Sequence, residues 1–225
     1  MNEQQDYWEN NIEGFSGFYD TTSEETIKGN RLFAWWYKKF IFPMEKKYMI
    51  IRHKMVSDFI EEHVKKDFSV ADIGCGSGIY SKKIAHSVGN KGRVFALDFT
   101  SASINLVNKN LSEEEKKYVT VQQFDITKES IPKVDIAISI GVLPYISDVK
   151  IYLKHILPYT EEIYFNFLDA DNLLNKIRLY LPFLNARNYS YHSYTDVVEI
   201  LFQEGFSIQA VENLATGKMI HAKRN

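Results

Sequence analysis

The sequence predicts an α/β protein: a mostly parallel sheet of seven strands with helices on both faces. Three observations carry this. Short apolar runs alternate with stretches of helical periodicity from Ser69 to Phe167, and such alternation marks parallel strands joined by right-handed crossovers. The first run ends in an acid and three alternate glycines, Asp72-Ile73-Gly74-Cys75-Gly76-Ser77-Gly78, which reads as strand, tight turn and helix start. The last two apolar runs flank Gly217 as a closing antiparallel pair. With 225 residues the chain is long enough to bury one full core.

Residues 1–65 read as an N-terminal arm and a helix packed on that core. Gly14, Gly17 and Gly29 interrupt an aromatic-rich stretch that includes Phe15, Phe18, Tyr19, Trp35 and Trp36. The rings either pack the arm down or cover a ligand pocket, and a short helix is expected near Gly29–Phe40. Residues 44–65 place Tyr48, Arg52, Met55, Val56, Phe59, Ile60 and His63 on one helical stripe. His63 on that stripe reads as a partly buried core residue.

Residues 66–225 form the predicted core. Strands are expected at Ser69–Ile73, Arg93–Leu97, Val119–Phe124, Val134–Ile140, Glu162–Phe167, Ser207–Val211 and Lys218–Ala222. Helices are expected at Ser77–Val88, Ser101–Leu111, Ser147–Ile156 and Thr195–Glu204, the last stopped by Gly205. Only Asp125–Lys133 separates the third and fourth strands, so that crossover is short. Asp169–Asn188 reads as a helix broken near Pro182. With the tyrosine-rich loop that follows, it makes an inserted lid at about 169–193 over the strand ends.

Charge excludes some partners. The formal net charge is −2, which offers no footprint for a nucleic-acid backbone or an anionic membrane. The most apolar stretch, Val134 to Ile146, contains Asp135 and Pro144 and falls short of the ~20 residues a membrane span needs. Cys75 is the single cysteine, so no intrachain disulfide forms and a reducing, cytoplasmic setting is expected. The polar start, Met1 to Asp6, does not read as a signal peptide. No metal ligation is expected, and a monomer or homodimer is.

The glycine turn is the first functional feature. Glycines let a ligand approach the backbone, and the helix that follows offers unpaired N–H groups and a positive dipole end. The dinucleotide fingerprint GxGxxG would put its third small residue at Ile79. Here the pattern is DxGxGxG, and it resembles motif I of the class I S-adenosylmethionine-dependent methyltransferases. Asp98 closes the second strand roughly 20 residues beyond the turn, where a ribose-binding acid is expected; a helix-capping role also suits it.

The resemblance implies a Rossmann-like fold with S-adenosylmethionine as cofactor. It places Gly74 and Gly76 against the methionine portion with backbone atoms, with Gly78 also among the cofactor-binding residues, Asp72 orienting the turn and the donor's amino group, and Cys75 as a small filler. It implies that Asp98, with Phe99 beside it, meets the ribose. It implies that Asp125 accepts from the adenine amino group while the Ile126 N–H meets the ring. At the fourth strand end, Ile140 and Gly141 would lie beside the sulfonium. Leu143-Pro144-Tyr145 is not the Asn/Asp-Pro-Pro-Tyr/Phe motif of nucleic-acid amino-methylating enzymes, so a nucleobase acceptor is not expected.

Within the superfamily, Gly-Ser-Gly-Ile-Tyr at 76–80 and Gly-Val-Leu-Pro-Tyr-Ile-Ser-Asp at 141–148 resemble small-molecule O-methyltransferases. More loosely they resemble the magnesium-protoporphyrin O-methyltransferase group. That group carries an arm tyrosine, matched by Tyr19, and a histidine after the fourth strand. Pro144 stands near that histidine's position, so no tetrapyrrole acceptor is expected. The implied reaction is methyl transfer to a small acceptor, at oxygen, by in-line displacement in a desolvated pocket. An acidic acceptor needs no base; an alcohol needs one within hydrogen-bond reach. Tyr19 and His192 are the catalytic candidates, with His155 a third. N-methylation, a nucleotide-dependent oxidoreductase or epimerase, and a non-catalytic donor-binding subunit stay open as alternatives.

Overall fold

The structure, a computed structural model, describes residues 6, 8, 9, 12, 35, 39, 42–180 and 189–225. The long helix α1 (Phe42–His63) leads into β1 (Ser69–Ile73), α2 (Ile79–Val88), β2 (Arg93–Asp98), α3 (Ser101–Asn110) and β3 (Val119–Gln123). Then come β4 (Val134–Ser139), α4 (Val149–Lys154), β5 (Thr160–Leu168), α5 (Leu173–Tyr180), α6 (Tyr194–Gln203), β6 (Phe206–Leu214) and β7 (Gly217–Arg224). The seven strands make one sheet in the order β3-β2-β1-β4-β5-β7-β6. β7 runs antiparallel to both β5 and β6; the other pairs are parallel. Residues 124–133 join β3 to β4 without a helix, as the short spacing predicts.

Side chains alternate across each strand, so a sheet covered on both faces carries two cores. On one face Ala71, Leu97, Ala137 and Phe165 pack with Tyr152 of α4 and Leu201 of α6. On the other Val70, Ala96, Ile138 and Tyr164 pack with Phe59 and Ile60 of α1 and Ile84 of α2. A Phe165-sized side chain, fully buried here, contributes about 1.5–3 kcal/mol.

α4 and α5 start later than predicted, for local reasons. α4 starts after Asp148, whose Oδ1 accepts from the Lys150 and Ile151 N–H groups. It stops before Leu157–Tyr159, a 3₁₀ turn with Pro158 at its start. α5 starts after Asn172, whose Oδ1 accepts from Leu174 N. The expected break at Pro182 and the helix expected near Gly29–Phe40 lie mostly outside the described residues.

β2 and β4 lie on opposite sides of β1. Chain direction across the sheet therefore reverses beyond the carboxyl ends of β1 and β4, and such a reversal opens a crevice where α/β sheets bind ligands.

Candidate active site

The turn after β1 forms the floor of that crevice. Gly74, Gly76 and Gly78 all have positive φ, at 71°, 53° and 81°. Gly74 is the tightest position: a Cβ there would lie 2.2 Å from Val142 Cγ2, at the end of β4. Only glycine lets these two strand ends meet so closely. Gly74 N and Cys75 N donate to Leu97 O at 2.7 and 3.1 Å, fastening the turn to β2. Behind it, buried Asp72 accepts from Ser81 Oγ at 2.5 Å, tying strand to helix α2. Burial pushes the Asp72 carboxyl up to about 7. Burial also drives the Cys75 thiol well above its ordinary range, reinforced by the nearby Asp98 and Asp72 charges. That withholds the thiolate that nucleophilic chemistry requires.

Asp98 ends β2 and is 8% exposed. Its Oδ2 accepts from Gly76 N at 3.0 Å, and its Oδ1 accepts from Thr100 N and Oγ1 at 3.0 and 2.8 Å. Burial raises its pKa against these hydrogen bonds. Thr100 takes the helix-cap role, accepting from Ser103 N at the start of α3. Asp125, beyond the end of β3, is more open. Its Oδ1 accepts from Thr127 N and Oγ1, and its Oδ2 pairs with Lys128 Nζ at 2.7 Å. Partial burial raises this carboxyl, but the Lys128 and Thr127 contacts outweigh it and leave the pKa lowered.

Gly74, Cys75, Gly76, Asp98, Phe99, Asp125, Ile126, Ile140 and Gly141 all line one cavity of about 1180 Å³. Gly141, at φ 79°, donates its N–H to Asn166 Oδ1 on β5 at 2.6 Å. Asp72 and Gly78 are set behind the wall, where they shape the turn. His192 does not line the cavity. It pairs as backbone with Asp169, and its buried ring faces Leu143 O at 3.4 Å; burial lowers its pKa. His155 contacts Ser130 Oγ at 3.0 Å, also away from the cavity wall. Tyr19 lies outside the described residues.

The rest of the wall comes from the arm, from α1 and from the 169–193 segment; the sequence suggested the arm and that segment as covers but did not single out these residues. Trp8 and Ile12 of the arm reach the cavity, and Trp8 meets Tyr145 edge-on at 5.5 Å. Glu9 fastens that part of the arm by accepting from Ser101 N and Ala102 N, at the N-terminus of α3. Tyr189 adds a ring 5.3 Å from Tyr145. α1 supplies Tyr48, Met49 and Arg52, and α5 supplies Arg178. An arginine on an apolar helical stripe was the available signal for Arg52. Its guanidinium lies over the Tyr48 ring at 5.6 Å, and its Nη1 would be 3.4 Å from a Cβ on Gly141.

This wall fits S-adenosylmethionine: backbone at the floor, carboxylates at the tips of β2 and β3, and apolar groups at the end of β4. The volume exceeds the upper end of roughly 300–1,000 Å³ typical for one small ligand, leaving room for an acceptor beside the cofactor.

Comparison with known proteins agrees. A family model described as a methyltransferase domain matches residues 64–178, half of the chain. The ribosomal protein L11 methyltransferase of Thermoanaerobacter pseudethanolicus is 32% identical over 105 residues, 47% of this chain. The match spans 32% of that relative, so the chain corresponds to about a third of its length. Magnesium protoporphyrin IX methyltransferase from Synechocystis PCC 6803 with bound S-adenosylhomocysteine superposes with a TM-score of 0.69 and 16% identity, covering 98% of this chain and 97% of that one. With bound S-adenosylmethionine, the same enzyme gives 0.70 and 14%, covering 100% and 98%. The chain thus belongs to the methyltransferase-domain family.

Proposed function

We propose that this enzyme methylates an oxygen of a small acceptor with a flat apolar body and an anionic group, a carboxylate or a phenolate. The observation behind this reading is the composition of this cavity. The glycine turn and Asp98 line it together with Tyr48, Met49, Tyr145 and Tyr189, and with Arg52 and Arg178. A guanidinium is always charged and offers a planar fork of donors that matches a carboxylate. Arg52 beside Gly141 would hold such an acceptor at the end of β4.

When bound, S-adenosylmethionine supplies an electrophilic methyl group on a sulfonium. Everything else falls to the chain. Gly74, Cys75 and Gly76 hold the methionine portion with backbone atoms, from a turn braced by Asp72 and Gly78. Asp98, with Phe99, meets the ribose; Asp125 and the Ile126 N–H meet the adenine. Ile140 and Gly141 form the wall nearest the transferring group. Apolar walls exclude water, which favours a charge-dispersing transfer. Positioning supplies most of the remaining rate. An anionic oxygen carries its own lone pair, so no strong base is required. Tyr19 is assigned to the acceptor side through its place in the arm. His192 positions the strand end by way of Leu143. The lone buried cysteine supports a cytoplasmic setting, where the chain acts as a monomer or homodimer.

The test is turnover with isotopically labelled donor against a panel of aromatic carboxylic acids, phenols, alcohols and amines. Methyl esters or aryl ethers are expected, with Arg52→Ala raising KM for the acid acceptors. Exclusive labelling of amines would overturn the assignment to oxygen.

A further inference from the structure

Away from the cavity, three side chains converge on the face of the sheet covered by α1. His63 ends α1, Glu162 lies near the start of β5, and His221 lies on β7. His63 Nδ1 is 3.1 Å from Glu162 Oε1, and His221 Nε2 is 2.8 Å from the same oxygen. Among the described residues this is the one group of three histidine, cysteine or acidic side chains whose donor atoms all lie within 4.8 Å of one another. None of the three lines the cavity.

We propose that His63, Glu162 and His221 are a binding site for a divalent cation of the zinc class. Zinc lies roughly 2.0–2.2 Å from nitrogen and carboxylate donors, which sets the donors of a tetrahedral site roughly 3.3–3.6 Å apart. The two histidine-to-glutamate separations, 3.1 and 2.8 Å, are those of hydrogen bonds and need open by only a few tenths of an ångström to admit the ion. The imidazole rings stand at 69° to each other, with centroids 4.5 Å apart, so the two nitrogens approach from different directions, as adjacent corners of a coordination shell do. Two imidazoles and one carboxylate select zinc, iron(II), cobalt or nickel over calcium and magnesium.

The surroundings hold the donors in place. Phe59 stacks on His63 at 4.6 Å, meets His221 edge-on at 5.0 Å, and stacks on Tyr164 at 4.0 Å. Register supports the pairing: Glu162 faces Lys223, and Tyr164 faces His221, across β5 and β7. Lys223 Nζ sits 3.8 Å from the other carboxylate oxygen, Oε2, leaving Oε1 to the histidines. The His63 side chain is 34% exposed, which gives the cation an entry path and water an open coordination position. The carbonyl end of α1 also favours a cation there.

With a cation bound, the protons now bridging the rings to Glu162 move to the opposite ring nitrogens or leave as the site fills. The site then joins α1, β5 and β7. Its effect would reach the cavity through α1, because Arg52 lies on the same helix, about 17 Å from His63 at the usual rise.

The experiment uses the full-length, tag-free chain stripped with a chelator. Zinc chloride is titrated by calorimetry, and cobalt(II) chloride is followed by its visible absorption. One equivalent per chain is expected, with a cobalt spectrum showing nitrogen coordination. Zinc at ~100 times its Kd should raise Tm by roughly 5–10 °C. His63→Ala and Glu162→Gln should abolish both effects, and the distant His86→Ala should abolish neither. Circular dichroism establishes that each variant is folded. Absence of saturable binding, or wild-type binding by folded His63→Ala, would overturn the proposal.

Discussion

Replacing Gly74 by alanine tests the close meeting of β1 and β4 at the cavity floor. Its φ of 71° is left-handed, where an L-residue costs about 1–2 kcal/mol. The added methyl would lie 2.2 Å from Val142 Cγ2, far inside the ~3.5–4.0 Å of an ordinary carbon contact. Relieving that overlap moves the turn or Val142, at about 1–3 kcal/mol. Gly74→Ala should therefore destabilise the protein by about 2–5 kcal/mol. The two contributions separate in a double-mutant cycle. Val142→Ala removes the clashing methyl, so the pair should couple favourably by about 1–3 kcal/mol, leaving only the backbone strain. Urea unfolding of the four proteins, followed by far-ultraviolet circular dichroism, measures this. S-adenosylhomocysteine affinity should fall in parallel in Gly74→Ala and partly recover in the double variant. A Gly74→Ala protein within about 0.5 kcal/mol of wild type, or a cycle with no coupling, would refute the reasoning.

Asp72 predicts a pH dependence. Its folded pKa of about 7 stands above the ordinary 3.8, so between those values the folded chain binds more protons than the unfolded one. Its contribution is fully present below pH 3.8 and is lost as pH rises through about 7, a change of about 4 kcal/mol. Asp72→Asn cannot ionise, and urea midpoints at pH 5 and pH 8 should show that part of the slope gone. For catalysis, Tyr19→Phe should lower kcat/KM by roughly tenfold with S-adenosylhomocysteine affinity unchanged, the cost of one hydrogen bond to the acceptor; a loss of about 100-fold or more would point instead to acid–base catalysis. His192→Phe should cost stability of about 1 kcal/mol and less than about tenfold in turnover; a loss near that of a general base would place its ring in the reaction.

The sheet was legible because its signal is local. Short apolar runs bounded by turn residues, such as Val134–Ser139, are buried on both faces as central strands. The glycine turn was legible for the same reason: backbone geometry and residue type are bound together at Gly74. Asp98 and Asp125 follow from the strand ends that carry them. The acceptor side was not legible, since Trp8, Arg52 and Arg178 come from three separate segments and meet only in the folded chain. His192 shows the opposite error. A histidine among tyrosines suggested a residue facing the acceptor, yet backbone pairing with Asp169 turns its ring toward Leu143. His63, Glu162 and His221 each suit their own element as core or strand residues, and only the packing of α1 on β5 and β7 brings them together.

The central claim is that the β1 turn and the carboxylate closing β2 hold the methyl donor. Calorimetric titration of S-adenosylhomocysteine into wild type and Asp98→Asn tests it most directly, with a nicotinamide dinucleotide as control. Wild type should bind one equivalent and ignore the dinucleotide. Asp98→Asn should bind about 10–100-fold more weakly, the cost of losing a charge-assisted hydrogen bond. Dinucleotide binding in place of S-adenosylhomocysteine, or undiminished affinity in Asp98→Asn, would contradict the account.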